Sequence, residues 1–169
     1  KLQARVDRDL LGMTDEEADA WETHTEREFS LFADSVECHS ERRLVFSGQQ
    51  DLVFRSALES GDCFAVLLAV ERPGCPYRTT VQILEADRIS NPNYAADRVG
   101  FVQGVEKDQY GAAVAYHVSQ THPGSLLTGQ KREWQRIEAF GPTTGRRLIL
   151  HVGDILRPEQ TRSVPYLAP

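Results

Sequence analysis

The stretch Ser56-Ala-Leu-Glu-Ser-Gly-Asp-Cys-Phe-Ala-Val-Leu-Leu-Ala-Val-Glu-Arg72 runs into Pro73-Gly74-Cys75-Pro76 and then Thr80-Val-Gln-Ile-Leu-Glu-Ala-Asp-Arg-Ile-Ser-Asn-Pro92. It reads as a helix end, a buried strand, a tight turn, a second strand and a loop. Cys63 to Val70 is the longest apolar run in the chain and has strand length. An unbroken run of this kind predicts a central strand, from Cys63 to Arg72, covered on both faces. Pro and Gly at 73–76 enforce the turn. Thr79, Thr80, Val81 and Ile83 favour a second strand over Arg78 to Leu84, so the two form a hairpin.

Upstream, the reading changes to helices. Leu44, Val45, Leu52, Val53 and Leu58 give a core stripe, and Gly61 stands where a C-terminal glycine ends a helix. Gly48, read as mid-helix, weakens that helix by about 1 kcal/mol relative to Ala. A polar break, Glu37 to Ser40, separates it from an earlier helix. That helix opens on Thr14-Asp15-Glu16-Glu17, a capping box in which the Thr14 hydroxyl and the Glu17 carboxylate satisfy each other's backbone amides. Ala18, Trp21, Phe29, Phe32, Ala33 and Val36 fall on one face of it. Residues 1–13 are expected to be an extended lead-in.

Downstream, everything reads as strands and loops. Glu85 to Asp97 is a loop around Asn91-Pro92-Asn93. Val99–Glu106 and Ala112–Ser119 flank a Lys107–Gly111 hairpin turn. A second loop runs from His122 to about Lys131. Trp134–Phe140 and Arg147–Val152 are expected to form a last pair of strands around Gly141 to Gly145. Helices first and antiparallel hairpins afterwards mean an α+β fold, read here as a single domain over residues 1–169.

The 169 residues are 40% hydrophobic and 26% charged, which suits a folded core. A net charge of −6 argues against a broad basic face gripping phosphates. An acidic wall would instead let a polyanion slide by without sticking. Cys38, Cys63 and Cys75 are odd in number and form no C-x-x-C pair, so they read as reduced thiols of an intracellular protein rather than as a disulfide set or a zinc site. No apolar run approaches the roughly 18 residues of a membrane-spanning helix. There is no signal peptide at the start, and both ends, Lys1 and Pro169, look cut, as in a piece of a longer protein.

Catalytic readings are weak. Glu85 and Asp87 could do acid–base work or bind a metal, but no third ligand is near in sequence, and a polar loop mouth explains them. His151 with Asp154 suggests a base and its orienting acid, yet no G-x-S-x-G nucleophile exists. Cys38 and His39 are sequence neighbours and do not face each other on a helix. Gly100 and Gly104 make no dinucleotide fingerprint, and no phosphate-cradling loop occurs. The basic pairs Arg42-Arg43, Arg146-Arg147 and Lys131-Arg132 lack interleaved aromatics, so ordinary solvated charge or ion pairing between subunits suits them better than a nucleic-acid platform. Trp21 and Trp134 read as core anchors, or as anchors of an interface.

The opening stretch, together with Arg147-Leu-Ile-Leu-His-Val-Gly-Asp-Ile-Leu-Arg-Pro-Glu-Gln160 and Ser163-Val-Pro-Tyr-Leu-Ala-Pro169, resembles the portal proteins of tailed phages, in the lambda-like family. The resemblance covers most of residues 7–169 and implies the N-terminal, wing part of such a subunit. Residues 153–169 would be the exit segment toward a stem and clip. The family resemblance implies a homo-oligomeric ring of about twelve copies at one capsid vertex, closed by heterologous contacts. Double-stranded DNA would pass through the ring during packaging and ejection. Terminase and head–tail connector proteins would dock on parts largely outside this chain. No catalytic residue, cofactor, metal or membrane is implied, and the location would be the virion, with assembly in the host cytoplasm. The acid-rich helix, with Glu22 and Glu26, and the basic Arg42, Arg43, Arg146 and Arg147 form a candidate subunit interface of opposite signs. Two rival readings are a small hydrolase using Glu85, Asp87 and His151, and a monomeric β-rich head–tail adaptor.

Overall fold

Helices occupy the first part of the chain and strands the rest, the α+β order that the sequence predicts. The computed structural model describes residues 2–125 and 132–167, so Lys131 and the end of the His122 loop lie outside the described residues. Helix α1 (Arg8–Leu11) is a single turn within the lead-in, capped by the Asp7 side chain. Helix α2 (Asp15–Ala33) starts at the expected capping box: the Thr14 hydroxyl accepts from the Glu17 amide at 3.3 Å, and the Glu17 carboxylate accepts from the Thr14 amide at 2.9 Å. Helix α3 (Phe46–Ser60) begins after Leu44 and Val45, two residues that the apolar stripe had placed inside it. Gly48 is therefore in its first turn, where a propensity penalty matters least.

Strands β1 (Asp62–Ala69) and β2 (Thr79–Glu85) form the expected hairpin, with Phe64 opposite Leu84 and Val66 opposite Gln82. The other neighbour of β1 is β7 (Ile149–Gly153), so β1 is the middle strand of a three-stranded antiparallel sheet. A second sheet is a meander of β3 (Phe101–Val102), β4 (Val105–Lys107), β5 (Ala113–Ser119) and β6 (Trp134–Glu138).

Two strand expectations need correction. Val99–Glu106 is not one strand, because a turn at Gln103-Gly104 folds it into the β3–β4 hairpin. Gly104 has φ of +82°, and a Cβ there would meet the Ser90 amide nitrogen at 2.5 Å, so only glycine fits. Trp134–Phe140 and Arg147–Val152 do not pair as a hairpin either. Beyond a bridge between Phe140 and Arg147, β6 pairs with β5 and β7 pairs with β1, so the connection carries the chain from one sheet to the other. Buried strand β1 needs a partner on each edge, and β7 supplies the second.

One apolar cluster joins the two sheets: Phe64, Val66, Leu84 and Ile149 from the first, Val105, Tyr116 and Val118 from the second, with Ile89 between them. The Phe64 and Tyr116 rings meet edge to face at 5.6 Å. Helix α3 lies against β1, β2 and β7. The residue it buries is polar Gln49, which donates to Cys38 Sγ at 3.0 Å, while Leu52 of the predicted stripe is left exposed.

Helix α2 sits at the periphery. Phe29 meets Phe46 of α3 at 5.6 Å, and Phe32 meets Tyr77 at 5.7 Å, but Ala18 is its one buried residue. Trp21 is 47% exposed and is not the core anchor that its size suggests. Trp134 is half-buried: its indole N–H donates to Ser90 Oγ at 3.0 Å, and Tyr94 stands edge-on at 5.6 Å.

Candidate functional site

The sequence offers carboxylates, histidines and basic pairs, and the fold decides which of them meet. In an antiparallel sheet, directly opposed residues share a face and neighbours along a strand do not. Glu85 opposes Cys63, whereas His151 opposes Phe64. Glu85 and His151 therefore project from opposite faces of the first sheet. The stacking of His151 on Phe64 at 4.3 Å fixes the histidine on the core side. Glu85 pairs instead with His122, 2.8 Å away, and Asp87 lies past the strand on an exposed helical turn. The hydrolase set Glu85, Asp87 and His151 does not converge.

His151 does find a carboxylate, but it is Asp62 rather than Asp154. Its Nε2 is 2.8 Å from Asp62 Oδ1. The Asp62 side chain is only 1% exposed. It also accepts from the Ser163 amide at 2.9 Å and from the Arg162 guanidinium. Burial alone would raise the pKa of Asp62. The bonds from His151, Arg162 and Ser163, with the charge of Arg162, outweigh burial and bring it down to about 2. Arg162 goes further: it donates to the carbonyls of Ala86 at 2.9 Å, Ile89 at 3.0 Å and Gln103 at 3.2 Å, and it lies over the Phe64 ring. Arg162 thus grips the first sheet, the loop after β2 and the turn of the second sheet. No local motif announces this. Asp62 merely follows Gly61, the glycine expected to end a helix, and the three groups that meet it lie 89 to 101 residues away.

A second charged cluster lies on the outer face of the meander. Glu106 holds Arg136 through both its oxygens, at 3.0 and 2.8 Å, and His117 at 2.6 Å. The Arg136 bonds, against partial burial and with help from His117, hold the Glu106 carboxyl at about 2. Cys38 and Cys63 are buried, and burial pushes both thiols up, away from thiolate chemistry. Among the described residues, no three His, Cys, Asp or Glu side chains are placed to hold a metal ion, and no helix is long and apolar enough to cross a membrane.

The six candidate interface residues are spread widely. Glu22 and Glu26 face the lead-in: Glu26 accepts from the Ala4 amide at 3.1 Å and Glu22 from the Val6 amide at 3.0 Å. Two extended residues and four helical residues both advance about 6 Å, so the lead-in lies along α2 in register with this pair. Arg42 pairs with Glu37 at 2.9 Å, Arg43 with Glu41 at 3.8 Å, and Arg147 lies over the Phe140 ring at 4.6 Å. Arg146 is exposed.

The chain is 29% identical over 169 residues to Portal protein B of Escherichia phage lambda, covering 96% of this chain and 30% of that protein. It therefore spans less than a third of that relative's length. The profile of the phage portal proteins of the lambda family matches residues 1–169, the whole chain, and the chain belongs to that family.

Proposed function

We propose that this chain is the wing-region part of a structural subunit in a phage portal ring, set at one vertex of the capsid, through which double-stranded DNA is packaged and ejected. The match of the whole chain to the lambda portal family carries this reading. The role is mechanical rather than catalytic. The two joined sheets form a body to which Arg162 and Ser163 are fastened, while Ala4 and Val6 are fastened to helix α2. Assembly takes place in the host cytoplasm, and terminase and connector proteins dock on other parts of the subunit. If the reading is right, capsids assembled without the intact protein stay empty of DNA. Capsids that fill normally in its absence would overturn it.

Ring closure needs one face of a subunit to meet a different face of the next. The acidic side of α2, including Glu22 and Glu26, and the basic Arg42, Arg43, Arg146 and Arg147 are the surfaces we assign to that contact. Glu22 and Glu26 also hold the lead-in, so they act with residues 2–7 as one docked layer. Reversing Arg43 and Arg146 to Glu tests the contact without touching that layer. The expected result is a loss of rings on sizing, partly relieved by added salt, which screens the new repulsion between acidic faces. Rings that form as before would remove these residues from the interface.

A further inference from the structure

We propose that Asp62 and Arg162 form a releasable latch, which fixes the direction in which residues 162–167 leave the two-sheet body and makes that segment move as one piece with both sheets. The fastenings of this segment converge on one carboxylate. Asp62 Oδ1 takes the Ser163 amide, and its other oxygen takes Arg162. Arg162 then spans to Ala86, Ile89 and Gln103, which belong to the loop after β2 and the β3–β4 turn.

Little else holds the segment. Val164, Tyr166 and Leu167 are exposed, so they bury little apolar surface against the body. Pro165 has no amide to donate. Among the described residues, two further bonds reach it: the Leu167 amide donates to the Leu58 carbonyl at 3.2 Å, and Gln160 Nε2 donates to the Arg162 carbonyl at 2.9 Å. Gly61 sets the height at which the segment crosses. Its φ is +83°, and a Cβ there would meet the Val164 carbonyl carbon at 2.7 Å. The segment therefore runs directly over the α3–β1 corner, and the buried ion pair keeps it there. Breaking the pair releases the segment and leaves the Phe64–Tyr116 core in place.

The intact protein provides its own reporter. Arg157 is followed by proline, which trypsin does not cut, so the bond after Arg162 is the tryptic site within residues 153–167. While latched, Arg162 is mostly buried. Asp62→Asn is expected to speed cleavage after Arg162 by about tenfold or more, the loss of one charge-assisted bond. Amide exchange across Phe64–Val66 should stay as in the parent protein. Arg162→Lys keeps a cation beside Asp62 and a tryptic site, yet cannot span three carbonyls. It should show the same selective release, with rates normalised to the denatured chain. Two results overturn the proposal: cleavage after residue 162 that is unchanged in both variants, or cleavage and core exchange that rise in step. The second would make the pair an ordinary part of the core.

Discussion

The two ends of this chain are fastened by the same chemistry in different surroundings. At the start, Glu22 and Glu26 accept backbone amides from Val6 and Ala4 on the flank of a peripheral helix. Arg5 approaches Glu22 at 3.6 Å while itself 81% exposed. At the other end, Asp62 accepts a backbone amide too, but it is buried with a histidine and an arginine around it. The two bonds of the first clasp are part-buried, whereas the carboxylate of the second is itself almost wholly buried and its bond from Ser163 is fully so. The difference shows that burial, rather than the count of bonds, separates a tether from a latch.

Removing the buried carboxylate should have the largest effect. Asp62→Ala leaves the Arg162 guanidinium without its counter-charge, and is expected to lower the free energy of opening residues 162–167 by about 3–5 kcal/mol, read from amide exchange at Ser163. A loss as small as that of a surface change would erase the contrast between the two ends. Acid should act on the same group more gently. Because the folded pKa of Asp62, about 2, lies below its ordinary value of 3.8, its contribution is present above pH 4. As the pH falls through that range toward 2, about 2 kcal/mol of the hold on residues 162–167 should be lost. Asp62→Asn should flatten this part of the stability profile, and an unchanged acid slope in that variant would contradict the assignment. The smallest effect belongs to the part-buried clasp on the peripheral helix. Glu22→Gln should cost about 0.5 kcal/mol or less, while amide exchange at Val6 rises. A cost equal to that of Asp62→Ala would put the two ends on the same footing.

The sequence shows some of this and hides the rest, for physical reasons. The β1–β2 hairpin is legible because its apolar run, its turn and its β-branched return all lie within one short stretch. The start of α2 is legible because a capping box is local chemistry. The pairing of β7 with β1 is not local, and period-2 patterning says that a segment is a strand without naming its neighbour. His151 stood out in the sequence but suggested Asp154, the nearer acid. Its partner is Asp62, 89 residues away, and the arginine that completes the cluster is 100 residues from that aspartate. The spacing of Glu22 and Glu26 was visible as one face of a helix. Their use by the lead-in was not, since a backbone amide leaves no mark in the sequence.

Imaging the intact protein by electron cryomicroscopy tests the central claim most directly. Closed rings of about a dozen subunits are expected, with this two-sheet body repeated around the rim and residues 162–167 running along the α3–β1 corner of each copy. Well-folded particles that stay monomeric at every concentration, or rings in which this body is absent from the wall, would contradict it.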